Sequence, residues 1–506
     1  MKVVKSLFKT VTMITFFSII TRLLGFIFRV FLSRQLGSEG IGIYQIASSI
    51  IGVFMTLVAS GLPLTCAKMV AKYENNDLAS KKHILTTSSC VIAIVISLVS
   101  CFILIAGQNF LNIFINNDTI IDLVLIMCPA LIFSAVYAIF RGSLWGQNSF
   151  FWVSFTEFLE QLIRIILTFL VINQMTDIIS STKAVAYTFT LTCLVSAILV
   201  IVVYLINGGR IKFKKGHYRE LIKSSTPITG VRLASSFIQP ITALLIPFML
   251  GFIGYSSSEA ISIYGIIMGM TFPLLFTPLS IVGSLSMVLI PKISVLESKK
   301  DYDTIKDNIR SSISFSLFLA VLFVPLFLSC GDMIGLVLYK NLDAGIFLQL
   351  SAVCILPLVL NNITNSILNA LDLEVKSFVN YLWGMLVLLV TLCGLTFVIK
   401  ELAIIVSFFL STATTAILNL NMINKKVESL NFNIFSLLLK YALIILPCSI
   451  LGHLISNILY RFIPAFFAGL IGGGISIMFT VVLIQTFKIY NISSFLKKKR
   501  VTTPLS

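Results

Sequence analysis

Charge is scarce in this 506-residue chain: Asp, Glu, Lys and Arg together make up 11% of it, against 58% hydrophobic residues. No soluble multidomain protein of this length could hide that much apolar surface from water. Histidine is scarcer still, with His83, His217 and His453 far apart, and neither a GxSxG elbow nor a phosphate-binding glycine loop occurs. The loops are too short to carry the interfacial catalytic groups of a lipid-modifying enzyme, so no enzyme chemistry and no cofactor are expected. His453 reads as a packing residue. The nine cysteines stand one by one from Cys66 to Cys448, without a CxxC or a Cys/His cluster. That spacing speaks against a zinc site and against a disulfide framework, and the thiols are expected as small buried hydrophobes.

Apolar length is abundant. Mean hydropathy is +1.02, and runs of about 20 apolar residues, the length that spans a bilayer, recur between short polar breaks. They predict an all-α polytopic membrane protein with about 14 transmembrane helices, near 10–32, 41–67, 84–107, 119–141, 153–172, 184–206, 226–251, 261–290, 311–330, 344–371, 378–398, 402–423, 437–460 and 464–486. Arg22 and Arg29 interrupt the first run and no small-residue cleavage site follows it, so it is expected to stay in the mature chain.

The formal charge of +17 raises the question of nucleic acid, and the placement of the 37 Lys and Arg residues answers it. With the N-terminus inside, 28 fall on the cytoplasmic side, 5 outside (Arg34, Lys183, Lys340, Lys400, Arg461) and 4 within the membrane. This asymmetry is the positive-inside rule and predicts both termini in the cytoplasm. The basic stretch Arg210, Lys212, Lys214, Lys215, Arg219, Lys223 and the tail Lys497, Lys498, Lys499, Arg500 are then expected to meet anionic lipid headgroups, not nucleic acid.

A faint repeat organises the chain. Thr21-Arg22-Leu23 in span 1 matches Val231-Arg232-Leu233 in span 7; Val58, Ser60 and Lys68 match Val282, Ser284 and Lys292; Pro129 with Ser149-Phe150 matches Pro357 with Ser377-Phe378. The reading is an N-lobe of six spans (1–206), a cytoplasmic basic linker (207–225), a C-lobe of six (226–424), a further helix pair (425–490) and a basic tail (491–506). Six of the thirteen prolines, Pro227, Pro240, Pro247, Pro273, Pro278 and Pro291, crowd spans 7 and 8. Those two helices are expected to be kinked, as fixed shape or as a bending gate. Gly265 with Gly269, and Gly469 with Gly473, are small-xxx-small pairs that permit close helix contact.

Four arginines lie inside spans: Arg22, Arg29, Arg164 and Arg232. Each costs roughly 2.5 to 3.5 kcal/mol at the bilayer centre unless compensated. Glu157, Glu160, Gln161 and Arg164 share one face of span 5, and Glu160 with Arg164 forms an i,i+4 pair in the favourable order. These four residues read as a self-neutralising pair or as a gate and cavity charge network. Glu157 alone cannot balance Arg22, Arg29 and Arg232. A surplus of guanidinium asks for an anion, and a diphosphate suits its planar fork. Arginines bonded to carbonyls at helix ends are the structural alternative.

Ile20-Thr21-Arg22-Leu23-Leu24-Gly25-Phe26, Arg29 and Leu36-Gly37-Ser38-Glu39-Gly40-Ile41-Gly42-Ile43-Tyr44, with Arg141-Gly142, Gly146, Glu160-Gln161 and Arg164, resemble the polysaccharide-export branch of the multidrug/oligosaccharidyl-lipid/polysaccharide (MOP) flippase superfamily. Sporulation proteins and MurJ-type lipid II flippases belong to that branch. The resemblance implies two six-helix lobes with alternating access, and transport of an undecaprenyl-diphosphate sugar such as lipid II for cell-wall or spore-cortex synthesis. Arg22, Arg29 and Arg232 would bind the diphosphate, and spans 13 and 14 would form a groove for the lipid tail. It also implies the plasma membrane or outer forespore membrane, cell-wall or cortex synthesis proteins as partners, and drive from the membrane potential, with sodium or proton coupling left open. Two other readings compete: a multidrug or cation exporter of the same superfamily, which needs an unpaired acid in its cavity, and a non-transporting scaffold or enzyme of glycan synthesis.

Overall fold

The computed structural model describes residues 2–74, 79–109, 112, 117–213, 218–427, 430 and 433–490. Lys214, Lys215 and His217 of the linker and the whole basic tail lie outside the described residues. Every regular element among the described residues is helical, and thirteen helices are long and apolar enough to cross a membrane. The difference from fourteen is one of division. The first candidate, Thr12–Tyr73, is 62 residues long, about 93 Å at 1.5 Å per residue, which is three bilayer cores; it contains the first two expected spans. Ser257–Leu275 and Thr277–Ser298 count separately but together make the eighth. The fifth, Phe150–Ile172, escapes an apolar count because Glu157, Glu160 and Arg164 lie in it.

The chain forms two compact units, Met1–Gly265 and Ile266–Ser506. Among the described residues the helices of the first are α1 Lys2–Ala59, α2 Gly61–Glu74, α3 Ala79–Ala106, α4 Asp118–Met127, α5 Ala130–Gly146, α6 Phe150–Ile172, α7 Ile178–Ile206, α8 Tyr218–Ser236, α9 Ile238–Phe252 and α10 Ser257–Tyr264. It thus includes α9, α10 and the part of α8 from residue 226, which the repeat reading assigns to the second lobe. α1 bends at Gly37, whose φ of 65° lies where side chains are strained. Asn117 and Asp177 cap α4 and α7 by accepting from Ile120 N–H and Ser180 N–H, and Ser256 with Glu259 makes a capping box on α10. α8 gives way to α9 at Phe237, where Pro240 cannot donate to the Ser236 carbonyl.

Small residues set the spacing inside this unit. A Cβ on Gly142 would lie 2.6 Å from the Pro63 carbonyl oxygen, and one on Gly146 would lie 2.5 Å from that of Ala67. The glycine face of α5 therefore rests directly on α2 backbone. Gly61 likewise admits Ser225 and Thr229 of α8, and Gly42 admits the Ile261 carbonyl of α10.

The second unit begins within the π-helical segment Gly265–Thr271, followed by α11 Phe272–Leu275, α12 Thr277–Ser298, α13 Tyr302–Tyr339, α14 Leu342–Ser351, α15 Ile355–Ala370, α16 Glu374–Ile399, α17 Leu402–Lys426, α18 Ile434–Tyr460 and α19 Ala465–Thr486. The break between α11 and α12 falls at Phe276, beside Pro273 and Pro278. Gly384 packs on Ser411 and Thr415 of α17, while Gly469 and Gly473 of α19 meet Met333 and Leu326 of α13. Asn380 donates to Asn419, and Asn419 to Thr364, a buried polar chain through α16, α17 and α15. His453 Nδ1–H donates to the Ser329 carbonyl at 3.0 Å and Nε2 accepts from Asn457 at 2.9 Å. Both ring nitrogens are used, as a packing role requires.

Each unit repeats one pattern of neighbours. α5 packs on α2, α3 and α7, and α6 on α7; in the second unit α15 packs on α12, α13 and α17, and α16 on α17. The turn between the paired helices repeats too. Asn148 takes a left-handed φ of 57°, with Ser149 N–H bonded to the Leu144 carbonyl; 224 residues on, Asp372 has φ 56° with Leu373 N–H bonded to the Leu368 carbonyl. Both are Schellman endings at residues that tolerate the left-handed region.

Candidate functional site

The Schellman turn after α5 folds α5 and α6 into an antiparallel hairpin. Arg141 and Glu157 lie eight residues before and eight residues after Ser149, so each sits about 12 Å up its helix and the two face each other. The Arg141 guanidinium reaches the Glu157 carboxylate at 2.5 Å, with the side chains 33% and 47% exposed. One turn further along α6, Arg164 holds Glu160 at 2.6 Å, with 25% and 22% exposure. Arg164 also lies over the Phe189 ring of α7, 5.4 Å from its centroid, and Arg141 stands 6.0 Å from that of Tyr137, both within cation–π range.

These two ion pairs line a cavity of about 570 Å³ within the first unit, with Thr21, Tyr137, Trp145 and Gln161 also on its wall. Two guanidiniums and two carboxylates leave it formally neutral. Two wall residues each carry a polar atom that is buried without a hydrogen-bond partner among the described residues: Thr21 Oγ1 and Arg164 Nε. Tyr137 lies close to Glu160 and Thr156. Gly25 of α1 faces Gln161, where a Cβ would make an ordinary contact 3.8 Å from Nε2.

Of the residues singled out in the sequence, Glu157, Glu160, Gln161 and Arg164 come together on this wall. Arg22, Arg29 and Arg232 are exposed, do not line it, and have no ion-pair partner among the described residues. The helical wheel separates them: Thr21 and Gly25 look into the bundle, while Arg22 and Arg29, seven apart, follow the exposed stripe of Ile19, Leu23 and Ile27. Among the wall residues not picked out as site residues are Arg141, Tyr137 and Thr21. The equal distance of Arg141 and Glu157 from the turn was the signal for the first. The second and third carry none, since a lone Tyr or Thr in an apolar run is ordinary.

Comparison with solved structures identifies the architecture as that of the MOP superfamily. A lipid II flippase MurJ in an inward closed conformation aligns with 94% of this chain and 98% of its own at a TM-score of 0.68 and 17% identity. An inward-facing multidrug resistance MATE transporter of the superfamily aligns with 81% and 95% at 0.66 and 11% identity. The chain belongs to the polysaccharide biosynthesis protein family, whose model matches residues 7–297. It is 24% identical over 381 residues to stage V sporulation protein B of Bacillus subtilis (strain 168), covering 73% of each chain, and 24% identical over 309 residues to sporulation protein YkvU of the same strain, covering 58% of this chain and 66% of that one. It is a multi-pass membrane protein.

Proposed function

We propose that this chain is an alternating-access flippase that carries an undecaprenyl-diphosphate-linked sugar, lipid II or a related peptidoglycan or polysaccharide precursor, from the cytoplasmic to the outer leaflet. The observation that carries this reading is the set of three spanning-helix arginines, Arg22, Arg29 and Arg232, without an ionic partner among the described residues. Left uncompensated they would cost roughly 7.5 to 10.5 kcal/mol, comparable to a whole stability margin. A diphosphate offers each guanidinium a bidentate partner. The family description and the lipid II flippase neighbour favour the same substrate class. The exporter alternative needs a free acid in the cavity, and both Glu157 and Glu160 are paired with arginine.

In this reading both termini are cytoplasmic, the chain sits in the bacterial plasma membrane or outer forespore membrane, and the halves 1–206 and 226–424 rock about the substrate. The prenyl tail runs along α18 and α19, whose outer faces are apolar and exposed at Leu443, Leu470 and Met478. Cytoplasmic lysines hold anionic lipid, and cortex or cell-wall synthesis proteins accept the product. One charge moved through 100 mV is worth about 2.3 kcal/mol, so a substrate of charge about minus two gains about 4 to 5 kcal/mol on leaving a negative interior. Transbilayer movement of undecaprenyl-diphosphate disaccharide-pentapeptide in proteoliposomes tests the reading: the native chain flips it, while Arg22→Ala and Arg232→Ala fold but lose most of the rate. Flipping that survives both substitutions refutes the arginine mechanism.

A further inference from the structure

A second cavity of the first unit, about 350 Å³ among α1, α4, α9 and α10, shares no lining residue with the ion-pair cavity. Small residues make it. Ala243 and Gly251 of α9 and Ala260 of α10 line it where larger side chains would close the gap, and a Cβ on Gly251 would meet nothing within 4 Å. Close-packed interiors hold few voids larger than a water molecule, and Ile46 of α1, Ile120 of α4 and Ile261 of α10 offer water no hydrogen bond. Such a space suits an apolar occupant. Its rim continues a lipid-facing surface: Phe248 and Phe252 line it while 51% and 65% exposed, and with Ile241 they form one exposed apolar stripe along α9. The length fits as well. Phe252 lies nine residues after Ala243, about 14 Å along the helix, close to the roughly 15 Å depth of one leaflet's hydrocarbon. Ser256, Ser257, Ser258 and Glu259 stand exposed at the start of α10, where Ser257 lines the cavity, so its mouth lies at the level of lipid headgroups.

We propose that this cavity is a lipid site that holds one acyl chain of a membrane phospholipid, lying parallel to α9 and filling the space between it and α1, α4 and α10. Phospholipid supplies that chain at the concentration of the solvent itself, so it occupies the cavity ahead of any scarcer apolar ligand of like affinity. With both termini cytoplasmic, the mouth opens on the outer leaflet. The site is separate from the ion pairs and from the α18 and α19 surface, and it does not depend on the flippase reading.

The test is photolabelling of the full-length protein in phosphatidylglycerol vesicles that contain a small share of phosphatidylglycerol with a diazirine in mid-chain, the labelled residues being mapped by mass spectrometry. Gly251→Leu places a side chain in the cavity without a clash, and Gly251→Phe carries the test if the first variant fails to fold. Gly474→Leu on α19, where an added side chain also meets nothing, is the control. In the native chain, labelling of residues 243–261 should exceed that of the exposed α19 residues Leu470 and Met478. It should fall about tenfold in Gly251→Leu and stay unchanged in Gly474→Leu, with melting temperatures no lower than the native chain's. Equal labelling of the cavity and of α19 in the native chain, or cavity labelling that survives Gly251→Leu, overturns the site. Displacement of the label by added undecaprenyl phosphate assigns the cavity to a prenyl chain and overturns the phospholipid. None of these outcomes decides whether the chain flips a lipid-linked sugar.

Discussion

Replacing Glu160 by Gln separates two environments that the i,i+4 spacing cannot tell apart. On a water-exposed helix the Glu160–Arg164 pair would be worth about 0.3 to 0.5 kcal/mol. In this protein it lies 25% and 22% exposed on a cavity wall inside a spanning helix, with Arg164 Nε buried and unpartnered. Glu160→Gln then leaves a guanidinium uncompensated at membrane depth, at a cost of roughly 2.5 to 3.5 kcal/mol. Arg164→Gln costs less, because a lone carboxylic acid can be carried neutral whereas a guanidinium cannot. The double variant restores charge balance and should return to within about 1 kcal/mol of the native chain, as replaced buried pairs do. Reversible unfolding in mixed micelles with dodecyl sulfate, followed by tryptophan fluorescence, measures the cycle. A coupling of about 2 kcal/mol or more is expected. Additive single effects, with a coupling below about 0.5 kcal/mol, would refute the low-dielectric wall.

Charge reversal tests the second pair: Arg141→Glu and Glu157→Arg should each lower flipping at least about tenfold, the effect of about 1.4 kcal/mol, and the double reversal should recover most of it in the same proteoliposome assay. Gly142→Val forces a side chain against the Pro63 carbonyl oxygen and should destabilise by about 1 to 3 kcal/mol, read as a lower melting temperature. At the start of α13, the Thr304 hydroxyl and backbone N–H hold the Asp301 carboxyl below its usual range. Its folded value is depressed, so its contribution is present above the unfolded value and lost as pH falls through the folded one. Asp301→Asn keeps an uncharged cap that does not titrate, so its melting temperature should lie below the native chain's at pH 6 and the difference should close as pH falls below about 4.

The spans were legible because apolar length is the strongest signal a membrane chain carries. The first two spans were read as separate, and in the structure they run on through one helix bent at the left-handed Gly37; the eighth was read as one run, and a π-helical stretch and two prolines break it in two. The Glu160–Arg164 pair was legible from spacing within one helix. The Arg141–Glu157 pair was not read, because its partners lie on separate helices and meet only once the Asn148 turn sets the hairpin. The arginines show the limit of counting charge. Thr21 and Arg22 are adjacent in sequence, yet a rotation of about 100° per residue puts one on the cavity wall and the other outside it. Composition gives the surplus of positive charge but not the face that carries it.

The most direct test of the central claim is the rate at which a fluorescent undecaprenyl-diphosphate disaccharide crosses proteoliposome membranes under an imposed potential without ion gradients. The flippase reading predicts movement that depends on the native chain, speeds up toward the positive side, and is lost with Arg22→Ala or Arg232→Ala. No movement of that lipid under either polarity, with transport of an organic cation in the same vesicles, would contradict it and favour the exporter.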